Sequence, residues 1–333
     1  METATLMLVA TIVLAVAFDY INGFHDTANA IATSVATRAL SPLAAITMAA
    51  AFNFIGAFAG TAVAKTIGAG LVDESTTTTA VVAAALLGAI AWDLFTWWLG
   101  LPSSSSHALI GGLFGATLVA AGTGAFKVQG IIDKVIFPML TSPIFGFGGA
   151  FALIILLYWI FFRVRRRKAT NGFRRAQVVS AGFMAFSHGS NDAQKTMGII
   201  TLALFAGGVI STIEVPAWVI VISATAMSLG TAAGGWRIMH TMGHRVAKLE
   251  PVHGFAAETT AATIILTTAH FGMPVSTTQV ISSAIMGVGT ANGARKVRWG
   301  VARSIVLAWI VTIPASGAVA AAAWLLLNAL GLS

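Results

Sequence analysis

The chain has 333 residues, 57% of them hydrophobic and 9% charged, with a formal net charge of +8 and no cysteine. A mean hydropathy of +0.87 and repeated apolar runs of roughly 18 to 22 residues, long enough to cross a bilayer, exclude a soluble globular protein, and the lack of cysteine excludes disulfides and thiolate metal sites. The positive charge does not call for a nucleic-acid partner, because the Lys and Arg residues cluster in connectors, where the positive-inside rule accounts for them.

Lipid offers backbone groups no hydrogen-bond partner, so the apolar runs are expected to be helices, and the alternating short strands of a barrel are absent. The expected fold is therefore an all-α polytopic membrane protein. Met1 is followed by Glu2 and a long apolar run with no basic stretch before it, which reads as a retained span and not a cleaved signal peptide. Apolar segments lie near residues 4–37, 42–64, 78–99, 103–122 and 143–162, then near 176–207, 216–236, 252–271, 275–290 and 301–330. The first segment of each set is interrupted by polar residues. Between the sets, RVRRRKATNGFRR holds Arg163, Arg165, Arg166, Arg167, Lys168, Arg174 and Arg175, the strongest cytoplasmic marker in the chain. The division expected is a first transmembrane repeat over 1–162, a basic cytoplasmic linker over 163–175 and a second repeat over 176–333.

Loop charges relate the two repeats. The connector after Gly68 carries Asp73 and Glu74, whereas its counterpart after Gly243 carries His244, Arg245 and Lys248, so the two are expected on opposite sides. About five segments per repeat give that result, with both termini outside and the linker and the run Arg295, Lys296, Arg298 cytoplasmic. The repeats are thus predicted to have inverted topology, with broken helices or re-entrant hairpins at the centre. Inverted halves suit alternating access around a shared site. The setting expected is the plasma membrane, in contact with the lipid bilayer. Trp92, Trp97, Trp98 and Trp299 read as interfacial anchors, and assembly into a homo-oligomer is left open.

Two polar motifs each occur twice. GFHDTANA holds Asp26 and GSNDAQKT holds Asp192, an offset of 166 residues (192 − 26). Ionisable residues at membrane depth are costly and functional by default, and Gly23, Gly189 and Ser190 are expected to let these segments unwind. The second pair is GLPSSSSH from Gly100 and GMPVSTTQ from Gly272. Proline followed by Ser/Thr marks a helix N-terminus, here inside the membrane layer, where backbone N–H groups and hydroxyls make an anion site. Ser104, Ser105 and Ser106 align with Ser276, Thr277 and Thr278, so two termini are expected to clasp a tetrahedral anion with neutral donors.

Two carboxylates beside an anion repel it by roughly 3 kcal/mol each at ~5 Å and an effective dielectric of 20. The conflict is removed if cations bind between them. Carrying a dianion into a negative interior also costs roughly 4.6 kcal/mol per 100 mV, which requires coupling. Asp26 and Asp192 are therefore read as coupling-ion ligands, with unwound carbonyls and Asn29 or Asn191 as further oxygen donors and Asn53 and Glu258 as weaker coupling candidates; Glu258 also reads as a helix start. His25, His107 and His188 read as packing groups or proton carriers, without the spacing of a metal site. Lys195 reads either as a direct contact to the anion or as a side chain snorkelling to the interface.

At these residues the chain resembles the inorganic phosphate transporter (PiT) family, whose halves carry GANDVANA-like and PVSTTH-like motifs, in the same order and over nearly the whole chain. The departures are GFHD for GAND, AQKT for VANA, Ser103 for a common valine and Gln279 for a usual histidine. The resemblance implies phosphate contact at Ser104, Ser105, Ser106, Ser276, Thr277 and Thr278, and ion or substrate roles for Asp26, Asn29, Asn191 and Asp192. The expected function is import of hydrogen phosphate, or a neutral metal–phosphate complex, by H⁺ or Na⁺ symport, with no cofactor beyond that cation. Sulfate is the rival substrate; a hydrolase using Ser105 and His107 lacks the GxSxG turn, and a channel would show no gradient-driven accumulation.

Overall fold

The computed structural model describes residues 2–332; the expectations for Met1 and Ser333 lie outside the described residues. Among those residues no strand forms, and the one β-type contact is an isolated bridge between Val72 and Phe126. Twelve helices follow in order: α1 (Glu2–Ala36), α2 (Pro42–Gly56), α3 (Ala62–Ala69), α4 (Thr79–Leu99), α5 (Ser105–Ala121) and α6 (Val128–Phe161), then α7 (Arg166–Ala206), α8 (Ala217–Ala233), α9 (Trp236–Arg245), α10 (Pro251–His270), α11 (Thr277–Ala291) and α12 (Trp299–Ala329). Short 3-10 turns at Thr123–Ala125 and Ala294–Lys296 precede α6 and α12. The order long, short, short, medium, short, long is thus written twice.

Local signals set several of these bounds. Ser41, Thr78, Ser104 and Ser276 each accept a hydrogen bond from the backbone N–H three residues on, which satisfies a donor that the first helical turn leaves free. Gly100 and Gly272 follow the ends of α4 and α10 with φ of +67° and +66°, a conformation that glycine adopts without penalty. By length and hydropathy α1, α4, α6 and α12 can cross a membrane, and α8 with α9 forms a fifth candidate bent by 60°. At 17 and 15 residues, α5 and α11 are too short to cross at ~1.5 Å per residue. Much of the basic segment is helical, since Arg166 to Arg175 form the first turns of α7.

The packing is reciprocal. α1 lies on α8 as α7 lies on α2; α5 lies on α12 as α11 lies on α6; α3 touches α7 as α9 touches α1. The two long motif helices run antiparallel, because Leu8 of α1 packs against Gly207 just past α7 while the Thr37 hydroxyl just past α1 donates to Gln177 Oε1 at 2.7 Å. Even the loop bonds repeat: Lys127 N–H donates to Leu71 O and Arg298 N–H to Val246 O, both at 3.0 Å. The first of these joins brings Lys127 to Glu74 at 2.5 Å, beside Asp73, whose carboxyl the Ser75 hydroxyl and N–H hold below its usual range. The second lies among Arg245, Lys248, Arg295 and Lys296, and nearby Glu250 pairs with Arg166 at 2.7 Å.

The motif helices are continuous, which corrects the expectation that Gly23, Gly189 and Ser190 allow unwinding. These glycines serve close approach. A Cβ on Gly23 would overlap the Met227 carbonyl and press on Gly230, and one on Gly189 would overlap the Asn53 backbone, while Gly56 meets Phe186 and Ser190 in the reciprocal crossing. The backbone bonds of α1 and α7 stay made, which lipid and core alike demand. Gly56→Ala is expected to destabilise the fold by about 1–3 kcal/mol through overpacking, read as a lower melting temperature in detergent, whereas Gly148→Ala, where a Cβ meets nothing, is expected to be neutral.

Two buried apolar clusters flank the motifs. One takes Leu8, Ala15 and Phe18 of α1 with Ala193, Met197 and Leu202 of α7; the other takes Ala28, Ile31 and Ala32 of α1 with Met184 and Ala185 of α7. The polar residues 19–27 and 187–192 lie between them. Of the expected anchors, Trp98 and Trp299 are exposed, but Trp92 donates to Thr312 Oγ1 at 3.0 Å and Trp97 packs beneath the Arg237 guanidinium, so these two are partnered within the protein.

Candidate functional site

The crossing of α1 and α7 brings Asp26 and Asp192 together, and the N-termini of α5 and α11 point at both. Ligand atoms of Asp26, His188 and Asp192 all lie within 4.8 Å of one another. Thr277, the first residue of α11, donates to Asp192 Oδ2 at 3.1 Å and accepts from Asn29 Nδ2 at 3.2 Å. Thr278 accepts from Asn29 Nδ2 at 2.9 Å and reaches Asp26 Oδ1 at 3.5 Å. The two helix starts meet each other as well: Ser106 Oγ donates to Val275 O at 3.3 Å, and Gln279 Nε2 lies 3.3 Å from His107 Nδ1. Pro102 and Pro274 therefore open onto one polar centre.

Asp26 and Asp192 differ in their company. His25 Nδ1 stands 2.6 Å from Asp26 Oδ1, and its Nε2 faces Thr96 and Ser103 hydroxyls at 3.1 and 3.4 Å. Asp192 is held by Lys195 on Oδ1 and by His188 Nε2 at 3.2 Å on Oδ2. Lys195 also donates to Ser106 Oγ and to Val275 O, the latter at 3.1 Å. Ser105 Oγ lies 3.4 Å from His25 Nδ1, the same nitrogen that faces Asp26. A nucleophile–base–acid relay uses the two ring nitrogens separately, so these three residues do not form one.

Every residue expected at the site is buried, but their placements differ. Ser104 and Ser276 cap α5 and α11 through the backbone N–H groups of His107 and Gln279, both at 3.2 Å; Ser105, Ser106, Thr277 and Thr278 line the centre. Asn191 has both side-chain polar atoms buried without a partner, as does Asn29 Oδ1; such groups are costly unless something binds them. Asn53 stands one step back, donating to Thr231 Oγ1 at 2.8 Å with its Oδ1 3.2 Å from His188 Nδ1. Glu258 sits in the eighth position of α10, not at a helix start, and bonds Thr33, Gln177 and Ser180 at 2.5, 3.0 and 2.5 Å, a separate polar cluster. Lys195 is 1% exposed, so it does not snorkel. The 166-residue offset that pairs Asp26 with Asp192 also pairs Asn29 with Lys195, a signal present in the sequence; Gln194 lies within GSNDAQKT, whereas Thr96 lies outside every motif.

Two clefts open at the ends of α4 and α10, and one of them reaches this centre. One of about 500 Å³ is lined by Ala59, Gly60, Ala62, Thr267 and His270 and reaches Ser190 and Gln194 beside Asp192. The other, about 340 Å³, is lined by Trp98, Gly100, Arg237, His240, Thr241 and Arg245, from the end of α4 and from α9, without a residue of α1. Each is braced by a matching bond: the Thr66 hydroxyl donates to Gly272 O at 2.7 Å, and the Thr241 hydroxyl to Gly100 O at 3.0 Å.

The profile of the Phosphate transporter family matches residues 22–172 and 162–320. A Bacillus subtilis protein named "Probable low-affinity inorganic phosphate transporter" is 46% identical over 331 residues, which is 98% of this chain and 99% of that protein. A Rhizobium meliloti protein of the same name is 47% identical over 95% of each chain. A solved structure titled "The sodium-dependent phosphate transporter" superposes with a TM-score of 0.90 at 25% identity, over 97% of this chain and 99% of that one.

Proposed function

Because the chain belongs to the phosphate transporter family and is a transporter rather than an enzyme, we propose that it imports inorganic phosphate across the plasma membrane in symport with a cation, H⁺ or Na⁺. The observation that carries this reading is the convergence of two helix N-termini, α5 and α11, on one buried centre that also holds Asp26 and Asp192. Helix starts supply N–H donors and partial positive charge to an anion. The Ser105 hydroxyl and the unpartnered Asn191 amide add neutral donors, and the hydroxyls of Ser106, Thr277 and Thr278, whose protons here go to Val275 O, Asp192 and Asp26, turn to the anion once a bound cation takes over those oxygens. The Asp26 carboxylate supplies what an anion cannot use, a place for the coupling cation. Asp26 can also accept the P–OH hydrogen, an interaction that sulfate lacks, and a site built to bond a substrate OH rejects the analogue without it.

The reciprocal packing and the antiparallel α1 and α7 support two inverted repeats, bounded as 1–162 and 176–333, that rock about the shared centre. The basic end with Arg166, Arg245 and Arg298 is then cytoplasmic, and the cleft at Ser190 and Gln194 faces outside. In alternating access the Thr66–Gly272 and Thr241–Gly100 bonds mark the two places where the halves close.

The test is reconstitution into liposomes with radiolabelled phosphate, comparing a Na⁺ gradient with a pH gradient and adding sulfate as competitor. Accumulation above equilibrium in one gradient, untouched by excess sulfate, is the expected result; equilibration without accumulation would make the protein a channel, and full competition would make it a sulfate carrier. A second form of substrate, the neutral metal–phosphate complex, would bring its divalent cation to Asp26 and His188, whose ligand atoms lie within 4.8 Å of each other, because Lys195 already holds Asp192. If that form is carried, removing divalent cations with a chelator lowers uptake several-fold and added Mg²⁺ restores it.

A further inference from the structure

Resting on the symport reading, we infer that the ammonium of Lys195 permanently occupies the cation position of the second repeat, so that only the first repeat offers a half-site to a mobile monovalent cation. Geometry and sequence independently give one correspondence between the repeats. The first repeat contributes Asp26 and, three residues on, Asn29; the second contributes Asp192 and, three residues on, Lys195. Asn29 reaches Thr278 of the opposite repeat at 2.9 Å, and Lys195 reaches Ser106, which aligns with Thr278, in the reciprocal contact. One position in the fold thus carries an amide oxygen in one half and a positive charge in the other.

The contacts of Lys195 are those of a bound cation. Its three N–H donors go to a carboxylate oxygen of Asp192, the hydroxyl of Ser106 and the carbonyl of Val275 in the non-helical segment before α11. Unwound backbone carbonyls hold Na⁺ in transporters of this type, and a carboxylate and a hydroxyl are further oxygen donors suited to a hard cation. All three donors are used on protein oxygens, which leaves none for phosphate, and at 1% exposure the side chain has no route to the interface. A second cation here would meet a like charge and would lack the amide oxygen. The first half differs in kind: Asp26 faces the ring nitrogen of His25 at 2.6 Å, not a fixed ammonium, and Asn29 Oδ1 is buried with nothing bound to it. A Na⁺ ion fits the Asp26–Asn29 side and does not fit the Asp192–Lys195 side.

The consequence is one fewer mobile charge bound per cycle than a transporter with Asn at both positions would carry. It also explains how a buried carboxylate at Asp192 is kept paired when no ion is bound, since intramembrane charges persist in partnered form.

The test reads ²²Na⁺ binding to purified full-length protein in detergent, with choline chloride holding ionic strength constant. In the Asp26→Asn variant the first half-site is removed, and saturable Na⁺ binding is expected to be absent. Adding Lys195→Asn to it is expected to create one saturable site per chain, which Asp192→Asn in the same chain abolishes. Failure of a folded Asp26→Asn/Lys195→Asn protein to gain that site overturns the inference. Should that variant not fold, the comparison of wild type, Asp26→Asn and Asp26→Asn/Asp192→Asn decides: one saturable site in wild type that is absent in both variants upholds it, and Na⁺ binding that survives the first change and is lost with the second, or no saturable Na⁺ binding in wild type, overturns it. Wild-type protein that moves no phosphate in any gradient would remove the symport reading alone, because the binding comparison does not depend on transport.

Discussion

Asp26→Asn is expected to reduce gradient-driven phosphate uptake at least about a hundredfold while leaving the protein folded. A carboxylate attracts a monovalent cation at 4 Å by about 4 kcal/mol at an effective dielectric of 20, and each 1.36 kcal/mol lost is about tenfold in rate. Asparagine keeps the shape and the contact with Thr278 but not the charge. Asp192→Asn is expected to stop uptake by a different route. It strands the Lys195 ammonium against Ser106 and Val275 O, and removing one member of a buried ion pair costs about 3–5 kcal/mol. Its melting temperature should therefore fall well below that of Asp26→Asn, and Lys195→Met in the same chain should recover stability without recovering transport. Full uptake by either single variant would remove that carboxylate from the coupling scheme; equal stability of the two would contradict the Asp192–Lys195 pair.

The second large effect is expected at the helix starts. Ser105→Ala combined with Thr277→Ala should weaken phosphate binding by more than either change alone, because the two hydroxyls belong to opposite termini and grip one anion from two sides. A hydrogen bond to a charged group contributes about 1.5–3 kcal/mol, so each single change is expected to cost roughly tenfold to a hundredfold in Kd. Thr277→Ala should cost the more of the two, since Thr277 also joins Asp192 to Asn29. Equilibrium binding of radiolabelled phosphate to purified variants measures this directly. Wild-type affinity in the double variant would contradict the clasp.

The sequence by itself determined the class of molecule, the duplication and the identity of the central residues. Hydropathy leaves a membrane-spanning chain no fold but helices or a closed barrel, and proline followed by hydroxyl residues marks a helix start wherever it lies, so Pro102 with Ser104–Ser106 and Pro274 with Ser276–Thr278 were legible from one dimension. What the tertiary structure decided were the matters that depend on which surfaces meet. Gly23 and Gly189 read as breaks in the sequence and proved to be crossing points, because a glycine's role depends on whether backbone approaches it from another helix. Glu258 and Asn53 could not be separated from Asp26 and Asp192 by residue type, since an acid or amide in an apolar run looks the same whether its partners are Thr33, Gln177 and Ser180 or a shared polar centre. Lys195 was ambiguous for the same reason. A lysine stem reaches either outward to the interface or inward to Asp192, and only the helix–helix contacts that bury it fixed the direction.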